Sequence, residues 1–576
     1  MAKRASTSSK KASTTQKKTS KKASTKSSKK STSTKGKKKA KASTKKTKTR
    51  SKAVSKKEKA PKKAKVFRPN PKVDKVIQLP KDWERKPHRN KILYFIPEWD
   101  DLVDPDYDFE TDTHWGGRGD WSNEVYAHQM FPEPNYDGLL ISKVVAEKSK
   151  KKKERINQMG VHRFLRVPRN MPIMGDCGAF GYIDEDVPPY SIDEILDYYT
   201  RLDFDYGVSI DHLIVKATEE QKKFRYDLTI HNAEIFLKEH KKRGLTWEPI
   251  GAVQGWDPDS YAKAAEQYVK MGYKYIALGG LVRTNTTKIL ELLQKVHEVV
   301  PSDVKLHLFG IARLNGLLDF ARFGVTSVDS TSYLRRAWLG AGQNYLTHDG
   351  EMFSAIRIPE AGKSFRAKRI VQEGRATLET IQKLEHNCLA AMKAFDKGEL
   401  NVEQTLEILG EYDALITEDR KGTIPLLRKT LEASPWKHCP CAICKEYGVQ
   451  VIIFRGNNRN RRRGFHNTHA FYRLFQQVLN GEAPNLPTRS NKSAKPEKEK
   501  QVKTTQIKVN TKKKTKKKTT KKTKTKSKVK KATKKAKTKV TQKTKSVTKK
   551  KAKGASKTNS ATQSSTQQMS LFRESQ

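Results

Sequence analysis

The chain has 576 residues and a formal net charge of +57 at pH 7, and this charge is concentrated at its two ends. No apolar run approaches the ~20 residues that cross a membrane, and the first residues lack the apolar segment of a signal peptide. Its five cysteines are too few, and too clustered, for a disulfide framework. Composition therefore argues against a membrane or secreted protein, and we expect a soluble cytoplasmic one.

Both ends of the chain are rich in lysine. Residues 1–65 and 490–576 consist mainly of Lys, Ser, Thr and Ala, with very few acidic residues. Such segments have too little apolar surface to offset the entropy lost on ordering, so we expect both tails to be disordered. Their lysine density favours binding to a polyanion, since each neutralised phosphate releases counterions. The alternative is a solvated tail that only aids solubility.

The segment from 66 to 360 alternates short apolar runs with amphipathic helical patterns. This alternation predicts a parallel sheet with right-handed crossovers, and about eight strands favour a closed α/β barrel of the (β/α)8, TIM type. No glycine-rich dinucleotide fingerprint follows the first strand. The predicted strands are Lys91–Ile96, Tyr136–Ser142, Pro172–Gly175, Tyr206–Val215, Trp247–Gln254, Tyr273–Leu281, Lys305–Ala312 and Thr326–Ser330.

From 361 to 489 the pattern becomes helical, and this predicted subdomain contains a cysteine cluster. Cys439, Cys441 and Cys444 form C-x-C-x-x-C, and two candidate histidines, His466 and His469, follow. In a chain without a secretory signal this spacing indicates a zinc site, and a closed site with three Cys and one His would be structural. The spacing alone leaves the choice of histidine open.

Polar or small residues stand where five of the eight predicted strands end. In a (β/α)8 barrel, residues at these carboxyl ends face the active site. Each alone could be a helix cap or a solvated turn residue, but five of this kind make chance a poor explanation. They are Asp176, Asp211, Gln254, Gly279–Leu281 and Asp329.

The order of these strand ends resembles the tRNA-guanine transglycosylase superfamily, which exchanges guanine for a 7-deazaguanine base. The cysteine motif followed by a histidine resembles the end of the same proteins, and the helix pattern downstream favours His466 over His469. The matching stretches are Asp176–Phe180, Ser209–Asp211, Val253–Gly255, Gly279–Leu281 and Val328–Ser330.

The resemblance implies a role for each strand end. Asp329 would be the nucleophile that holds the sugar covalently, and Asp176 the general acid and base. These two roles also fit the chemistry of base exchange with retention, which needs one carboxylate for attack and a second for proton transfer. The base would be bound by Asp211, Gln254, Gly280 and Leu281 and sandwiched by Phe180 and Phe309, although simple core packing is the alternative for both phenylalanines. Structural zinc would be held by Cys439, Cys441, Cys444 and His466.

Several stretches depart from the tRNA enzymes and are similar to the DNA-guanine transglycosylase branch. They are Cys177–Ala179, Asp211–Leu213 and Ser330–Arg336. In addition, Gln568–Phe572 (QMSLF) resembles the peptide that docks on the bacterial sliding clamp. The leading hypothesis is therefore a nucleoid-associated enzyme that replaces guanine in DNA with a 7-deazaguanine such as preQ0. The alternatives are a tRNA-guanine transglycosylase and a non-catalytic nucleic-acid-binding barrel.

Two groups of arginines are candidates for phosphate contact. Arg455–Arg463 is an Arg- and Asn-rich run beside the cysteine cluster, and Arg335 and Arg336 follow Asp329. Arginine is a common phosphate ligand in nucleic-acid interfaces, so we expect both groups to contact the backbone of the substrate. The alternative for the run is a solvated helix face.

Overall fold

A computed structural model describes residues 73–115, 119–215, 217–339, 342–417 and 423–482. Within them, eight parallel strands close into a barrel, in which β1 pairs with both β8 and β2 and every other strand pairs with its neighbours in the chain. The (β/α)8 prediction is confirmed. The strands are β1 (Leu93–Pro97), β2 (Gly138–Ser142), β3 (Ile173–Asp176), β4 (Tyr206–Val208), β5 (Glu248–Val253), β6 (Tyr275–Leu278), β7 (Lys305–Leu308) and β8 (Val325–Asp329).

The helices of the barrel begin at side chains that cap their free amides. Thr218 and Gln221 form a reciprocal capping box at the start of α4, and Asp257 caps α5, whose first residue is Pro258. These helices are α1 (Lys143–Ala146), α2 (Lys150–Leu165, with a break at Gly160), α3 (Ile192–Leu202), α4 (Glu219–Lys242), α5 (Pro258–Met271), α6 (Thr286–His297), α7 (Leu317–Arg322) and α8 (Ser332–Arg336).

Three predicted strands extend well beyond the observed ones. β6 ends at Leu278 and β7 at Leu308, and the largest difference follows Tyr206. The run Tyr206–Val215 was expected to be a strand throughout, but β4 ends at Val208. Ser209 still donates its backbone N–H to Ile250, and beyond it the chain leaves the sheet and passes over the barrel mouth. Ile210, Leu213 and Ile214 are nevertheless buried, so this apolar run reflects packing without strand pairing.

The inside of the barrel is filled by a small apolar cluster from its first six strands. Its members are Phe95, Leu140, Met174, Val208, Ile250, Ala252, Tyr275 and Ala277. β7 and β8 instead bring the polar side chains His307 and Ser327 to this level, both fully buried. The barrel is thus a packed core with a polar sector beneath one side of its mouth.

The C-terminal region is helical, as predicted. A hairpin (Tyr345–Leu346 with Met352–Phe353) leads into it, and Ile356–Arg357 pairs in parallel with Ile453–Phe454. Its helices are α9 (Phe365–Gln372), α10 (Leu378–Lys397), α11 (Val402–Thr417), α12 (Thr423–Ala433), α13 (Pro435–His438), α14 (Ala442–Tyr447) and α15 (Gly456–Asn480). The boundaries proposed at 66, 361 and 490 stay predictions.

A buried carboxylate joins α15 to the amino-terminal ends of β1 and β2. Asp137, just before β2, accepts hydrogen bonds from the Arg89 guanidinium (2.8 Å), the Tyr94 N–H (2.9 Å) and the Tyr472 hydroxyl (2.7 Å). Its pKa is lowered despite burial, because His88 and Arg89 stabilise the charged form. The second half of α15 is therefore fixed near the amino-terminal ends of β1 and β2, away from the strand ends discussed below.

Candidate active site

The barrel brings the polar strand ends together at one rim. Asp176 and Asp329 are the last residues of β3 and β8, Gln254 directly follows β5, and Gly279 directly follows β6. Asp211 lies three residues beyond β4. Because all eight strands are parallel, their carboxyl ends surround a single mouth, and the five predicted positions meet there.

Asp176 lies among like charges at the mouth. Burial raises its pKa to about 8, and the neighbouring carboxylates Asp211 and Asp329 add to the increase. Backbone N–H groups of Cys177 and Gly178 oppose it only in part. Gly178 has φ of +88°, and a Cβ there would overlap the Ser142 hydroxyl, so glycine permits the tight turn behind the acid. Asp176 is therefore protonated at neutral pH.

Asp211 and Gln254 form a hydrogen-bonded pair. The amide Nε2 of Gln254 donates to Asp211 Oδ2 at 2.7 Å. Burial raises the pKa of Asp211 to about 6, and this hydrogen bond limits the rise, so Asp211 is charged at neutral pH. Within the described residues, the buried Oε1 of Gln254 has no hydrogen-bond partner. A pair that is desolvated and incompletely satisfied is suited to receive a polar ligand.

The glycines after β6 leave room for this pair. A side chain at Gly279 would overlap the Gln254 amide, and Gly280 has φ of +74°. The Tyr261 hydroxyl donates to the Gly279 carbonyl at 2.7 Å and fixes the turn. The side chain of Leu281 is buried in the main core, so only its backbone is available to a ligand at the mouth.

Asp329 is held through one of its two oxygens. Oδ1 accepts from the Gly310 N–H at 2.9 Å and from His307 Nε2 at 3.1 Å. Sequence reasoning missed His307, although a histidine in the middle of the apolar strand KLHLF was a usable signal. The carboxylate is thereby fixed in one orientation at the end of β8.

The two predicted stacking residues differ in exposure. Phe180 lies on a 3-10 helix (Ala179–Tyr182) after β3 and is 47% exposed, so it is not a core residue. Phe309 packs on the inner barrel cluster, and its ring centre is 4.8 Å from that of His307. Both follow strands that end at the mouth, and their contact with a base stays a prediction.

The predicted zinc ligands cluster in the C-terminal region. The ligand atoms of Cys439, Cys441, Cys444 and His466 lie within 4.8 Å of one another and could hold a metal ion. His466 donates from Nε2 to the Leu346 carbonyl at 2.7 Å, which turns Nδ1 toward the three sulfurs at 3.4–3.5 Å. Three thiols and one imidazole in a closed arrangement are the donor set that structural zinc prefers.

Two other histidines approach this cluster. His469, the rejected alternative, stacks on Phe131 with ring centres 4.6 Å apart, as expected for a packing residue. His348, which sequence reasoning missed, lies with Nε2 3.7 Å from Cys439 Sγ. Neither belongs to the four-residue set, so the choice of His466 is supported.

The arginine run does not form a phosphate-binding surface, and that prediction was wrong for most of its members. Arg455, Arg459, Arg462 and Arg463 are all at most 6% exposed. Arg455 and Arg459 pair with Asp112, whereas Arg462 and Arg463 donate mainly to backbone carbonyls. The run opens α15 and binds the helix to the barrel and to the segment between β1 and β2, where Asp112 lies.

Both lysine-rich tails and the peptide Gln568–Phe572 lie outside the described residues. Among the helices that the structure describes, none combines the length and apolar character of a membrane span.

Comparisons with known proteins identify the family of this chain. The family model described as queuine tRNA-ribosyltransferase matches residues 133–480. A DNA-guanine transglycosylase of Salmonella montevideo is 36% identical over 410 residues, which cover 68% of this chain and 98% of that protein. Two queuine tRNA-ribosyltransferases, from Psychrobacter cryohalolentis and another Psychrobacter strain, are 22% and 23% identical over 221 residues, covering 34% of this chain and 57% of each relative. The chain therefore belongs to the tRNA-guanine transglycosylase family and is a guanine transglycosylase.

Proposed function

We propose that this enzyme replaces guanine in DNA with a 7-deazaguanine of the preQ0 type through a covalent bond between Asp329 and the sugar. The observation that carries the proposal is the division of protonation states at the mouth. Asp176 keeps its proton at neutral pH, whereas Asp211 does not, because their pKa values are about 8 and about 6. Acids whose environments separate their pKa values in this way are suited to different roles.

In the first half-reaction, Asp329 attacks C1′ of the target nucleotide with Oδ2, the oxygen that contacts neither His307 nor Gly310. A bond forms between Oδ2 and C1′ while the bond from C1′ to N9 of guanine breaks. Asp176 gives its proton to the departing guanine, which leaves as the neutral base. The sugar then remains on Asp329 as an ester.

In the second half-reaction, Asp176 is a carboxylate and takes the N9 proton of the incoming 7-deazaguanine. The base attacks C1′ through N9, and the ester bond to Asp329 breaks. Two displacements at C1′ give overall retention, as in retaining glycosidases. Asp176 ends protonated and Asp329 ends charged, so the enzyme returns to its starting state.

The base would be recognised by the pair of Asp211 and Gln254. Charged Asp211 accepts from N1–H and the exocyclic amine of a guanine-type base, and the second hydrogen of Gln254 Nε2 and the Gly280 N–H donate to O6. Adenine would leave these buried groups unpaired and be rejected. Phe180 and Phe309 would stack on the two faces of the base, each contact contributing about 1–3 kcal/mol.

Two observations favour DNA as the nucleic acid. The relative that spans most of this chain carries the name DNA-guanine transglycosylase. The stretches Cys177–Ala179 and Ser330–Arg336 depart from the tRNA enzymes. The lysine-rich tails suit either nucleic acid, because both are polyanions. A base inside a duplex must be flipped out to reach a barrel mouth, so the enzyme would act on an extruded guanine. A tRNA substrate is the second candidate, favoured by the Psychrobacter relatives.

Arg335 and Arg336 are the remaining candidates for phosphate contact. They lie on α8, directly after the strand that carries Asp329. The Arg335 guanidinium lies 5.3 Å from the Trp99 ring centre, and Arg336 lies 5.1 Å from that of Tyr333. The guanidinium group can bind a phosphate through two of its N–H groups, and the position of both arginines beside the nucleophile suits the nucleotide that bears the target base.

Zinc would be held by Cys439, Cys441, Cys444 and His466. When bound, it would supply a structural cross-link, because four protein ligands leave no open position for substrate. His466 is part of α15, so the ion would fix this helix to the segment that carries the three cysteines.

The decisive experiment offers labelled guanine and labelled preQ0 to the enzyme with duplex DNA and, separately, with tRNA. We expect label to enter DNA and not tRNA. Incorporation only into tRNA would refute the choice of DNA. Incorporation into neither would favour the third hypothesis, a barrel that binds nucleic acid without catalysis.

The C-terminal peptide Gln568–Phe572 gives a separate test of the cellular setting. We propose that it docks on the sliding clamp and keeps the enzyme with the nucleoid in the cytoplasm. Replacing Leu571 and Phe572 with alanine should abolish binding to purified clamp but leave base exchange on short duplexes unchanged. Equal clamp binding by this variant and the wild type would refute the docking role.

A further inference from the structure

A chain of buried hydrogen bonds beneath the mouth ends at Asp329. The Tyr275 hydroxyl contacts Ser327 Oγ at 2.5 Å, Ser327 Oγ contacts His307 Nδ1 at 2.6 Å, and His307 Nε2 contacts Asp329 Oδ1 at 3.1 Å. Tyr275, Ser327 and His307 are at most 3% exposed. They come from β6, β8 and β7, so the chain spans three neighbouring strands.

This chain occupies the polar sector of the barrel interior. Six strands fill that level with apolar side chains, whereas β7 and β8 place His307 and Ser327 there. The His307 ring also meets Phe95 of the apolar cluster edge-on, with ring centres 6.3 Å apart. Buried polar groups at such positions weaken a core unless they are fully bonded, so a reason other than packing is needed for them.

The donors and acceptors fix which nitrogen of His307 carries its proton. If Tyr275 donates to Ser327 and Ser327 donates to Nδ1, every hydroxyl hydrogen in the chain has an acceptor and Nε2–H points at Asp329. The opposite tautomer would direct the lone pair of Nε2 at a carboxylate oxygen. The arrangement therefore places a hydrogen on Nε2, which donates to Asp329.

The consequence for Asp329 is that its two oxygens are not equivalent. Oδ1 receives two donors, from His307 and Gly310, while no donor within the described part of the chain contacts Oδ2. Oδ1 is thus the anchored oxygen, and Oδ2 is the one left to react. Correct orientation of a reacting group accounts for a large part of an enzyme's rate acceleration.

We infer that His307 is a positioning residue for Asp329, kept in its donating tautomer by Ser327 and Tyr275. The inference rests on the proposed role of Asp329 as nucleophile. The donated hydrogen bond is strongest when Asp329 carries its full charge, and it weakens when Oδ2 is bonded to the sugar. His307 therefore stabilises the carboxylate that is released when the incoming base takes the sugar, and it favours breakdown of the covalent intermediate.

The kinetic test uses graded variants. His307→Phe should lower kcat by about 10²-fold, as loss of a preorganised donor does, with KM for the incoming base unchanged. His307→Gln should restore part of the loss because its amide can still donate. Ser327→Ala should lower kcat about tenfold, because His307 Nδ1 then loses the hydrogen-bond partner that fixes its tautomer. His240→Gln is the matched control, since His240 is a buried histidine on α4, outside the barrel, whose ring is hydrogen-bonded to the Trp247 carbonyl.

A second readout separates positioning from general damage to the fold. With nucleic acid and saturating base, His307→Phe should accumulate more denaturant-resistant adduct than the wild type, because breakdown slows more than formation. Adduct that falls in proportion to kcat would show a merely structural role and overturn the inference. So would a kcat within about twofold of the wild type.

A third readout does not depend on activity. Ring ¹⁵N resonances of the full-length protein labelled at histidine should show the Nε2–H tautomer for His307, assigned by its loss in His307→Gln. The Nε2–H proton should move upfield in Asp329→Ala. A wild-type Nδ1–H tautomer would refute the relay whether or not the enzyme exchanges bases. The expected tautomer in a protein without exchange activity would instead refute the proposed function alone.

Discussion

The barrel mouth and the first half of α15 both bury several charged side chains, but they treat that charge in opposite ways. At the mouth, Asp176 and Asp211 lie close to each other with no cationic partner among the residues that the structure describes, and their pKa values rise to about 8 and about 6. In α15, Arg455 and Arg459 are paired with Asp112. Arg463 has its guanidinium nitrogens bonded to the carbonyls of Ala337, Val451 and Ile453.

This contrast distinguishes buried charges that serve a substrate from buried charges that hold the fold together. A buried charge with a full set of partners stabilises only the contacts in which it takes part, and it has nothing left to offer a ligand. Buried carboxylates without such partners cost free energy, so their retention points to use by a substrate. On this criterion we expect the mouth to be the reactive region, whereas the arginine run has the structural role of holding α15 in place.

The largest expected effect concerns α15 and follows removal of the metal. Because His466 lies on the same helix as the arginines, chelation should release the cysteine segment from α15 and unfold the C-terminal region. Structural zinc sites of this type contribute on the order of 10 kcal/mol. Circular dichroism and limited proteolysis, with zinc added back as the control, should follow the loss. A metal-free protein with an unchanged unfolding transition would contradict the zinc assignment.

At the mouth, Asp329→Asn should lower exchange by at least about 10⁴-fold, as loss of a nucleophile does. The fold should persist, because the amide oxygen of Asn can still accept from His307 and Gly310. Exchange of labelled base and thermal unfolding are measured on the same preparation. Residual exchange near the wild-type rate would show that Asp329 is not the nucleophile.

The structural role of the arginine run can be tested at Arg463, its most buried member. Arg463→Met keeps the bulk of the side chain but leaves several carbonyls without donors, so we expect a loss of about 3 kcal/mol in the free energy of unfolding. Arg369→Met on α9, where the side chain is exposed and paired with Glu373, should change stability by less than about 1 kcal/mol.

Kinetics complete this prediction. At a temperature where both variants are folded, Arg463→Met should keep the wild-type KM for nucleic acid. A rise in KM with unchanged stability would restore the arginine run as a substrate-binding surface.

Asp176→Asn should inactivate the enzyme and at the same time stabilise it. The wild-type carboxyl stays protonated in the folded protein up to about pH 8, whereas in the unfolded chain it ionises near its model value of 3.8. Between these values a rising pH favours the unfolded state, so the variant should gain stability progressively, by on the order of a few kcal/mol above pH 8. Urea denaturation at several pH values measures this gain. A variant less stable than the wild type at pH 8 would contradict the raised pKa.

The smallest effect is the pH dependence of exchange itself. Below about pH 6 Asp211 gains a proton and loses its contact with the base, and above about pH 8 Asp176 loses the proton it must donate. The profile of kcat/KM should therefore be bell-shaped, falling about tenfold per pH unit on each side. Asp211→Asn should remove the acidic limb but keep the basic one. An unchanged acidic limb in this variant would assign it to another group.

Much of this architecture was accessible from sequence because its signals are local. Each apolar run that ends in a polar or small residue identified a strand and its carboxyl end, and Asp176, Gln254 and Asp329 all lie within one residue of a strand end in the structure. The spacing of the cysteine motif identified three candidate metal ligands, and the choice of His466 as the fourth depended on the resemblance to the family. The strand after Tyr206 was overextended, because burial over the mouth produces the same apolar pattern as pairing in a sheet.

What the sequence by itself determined is the alternation that closes the barrel, the residues at its mouth and the donor set of the metal site, since each depends on residue type and spacing along the chain. Only the tertiary structure decided which charges have partners. Asp112 lies more than 340 positions before Arg455 and Arg459, and His307 reaches Asp329 only because β7 and β8 are neighbours in the sheet. Solvation and pairing are set by groups that are distant in sequence. The arginine run was therefore expected to contact substrate, whereas in the fold most of its members are buried and hold α15 in place.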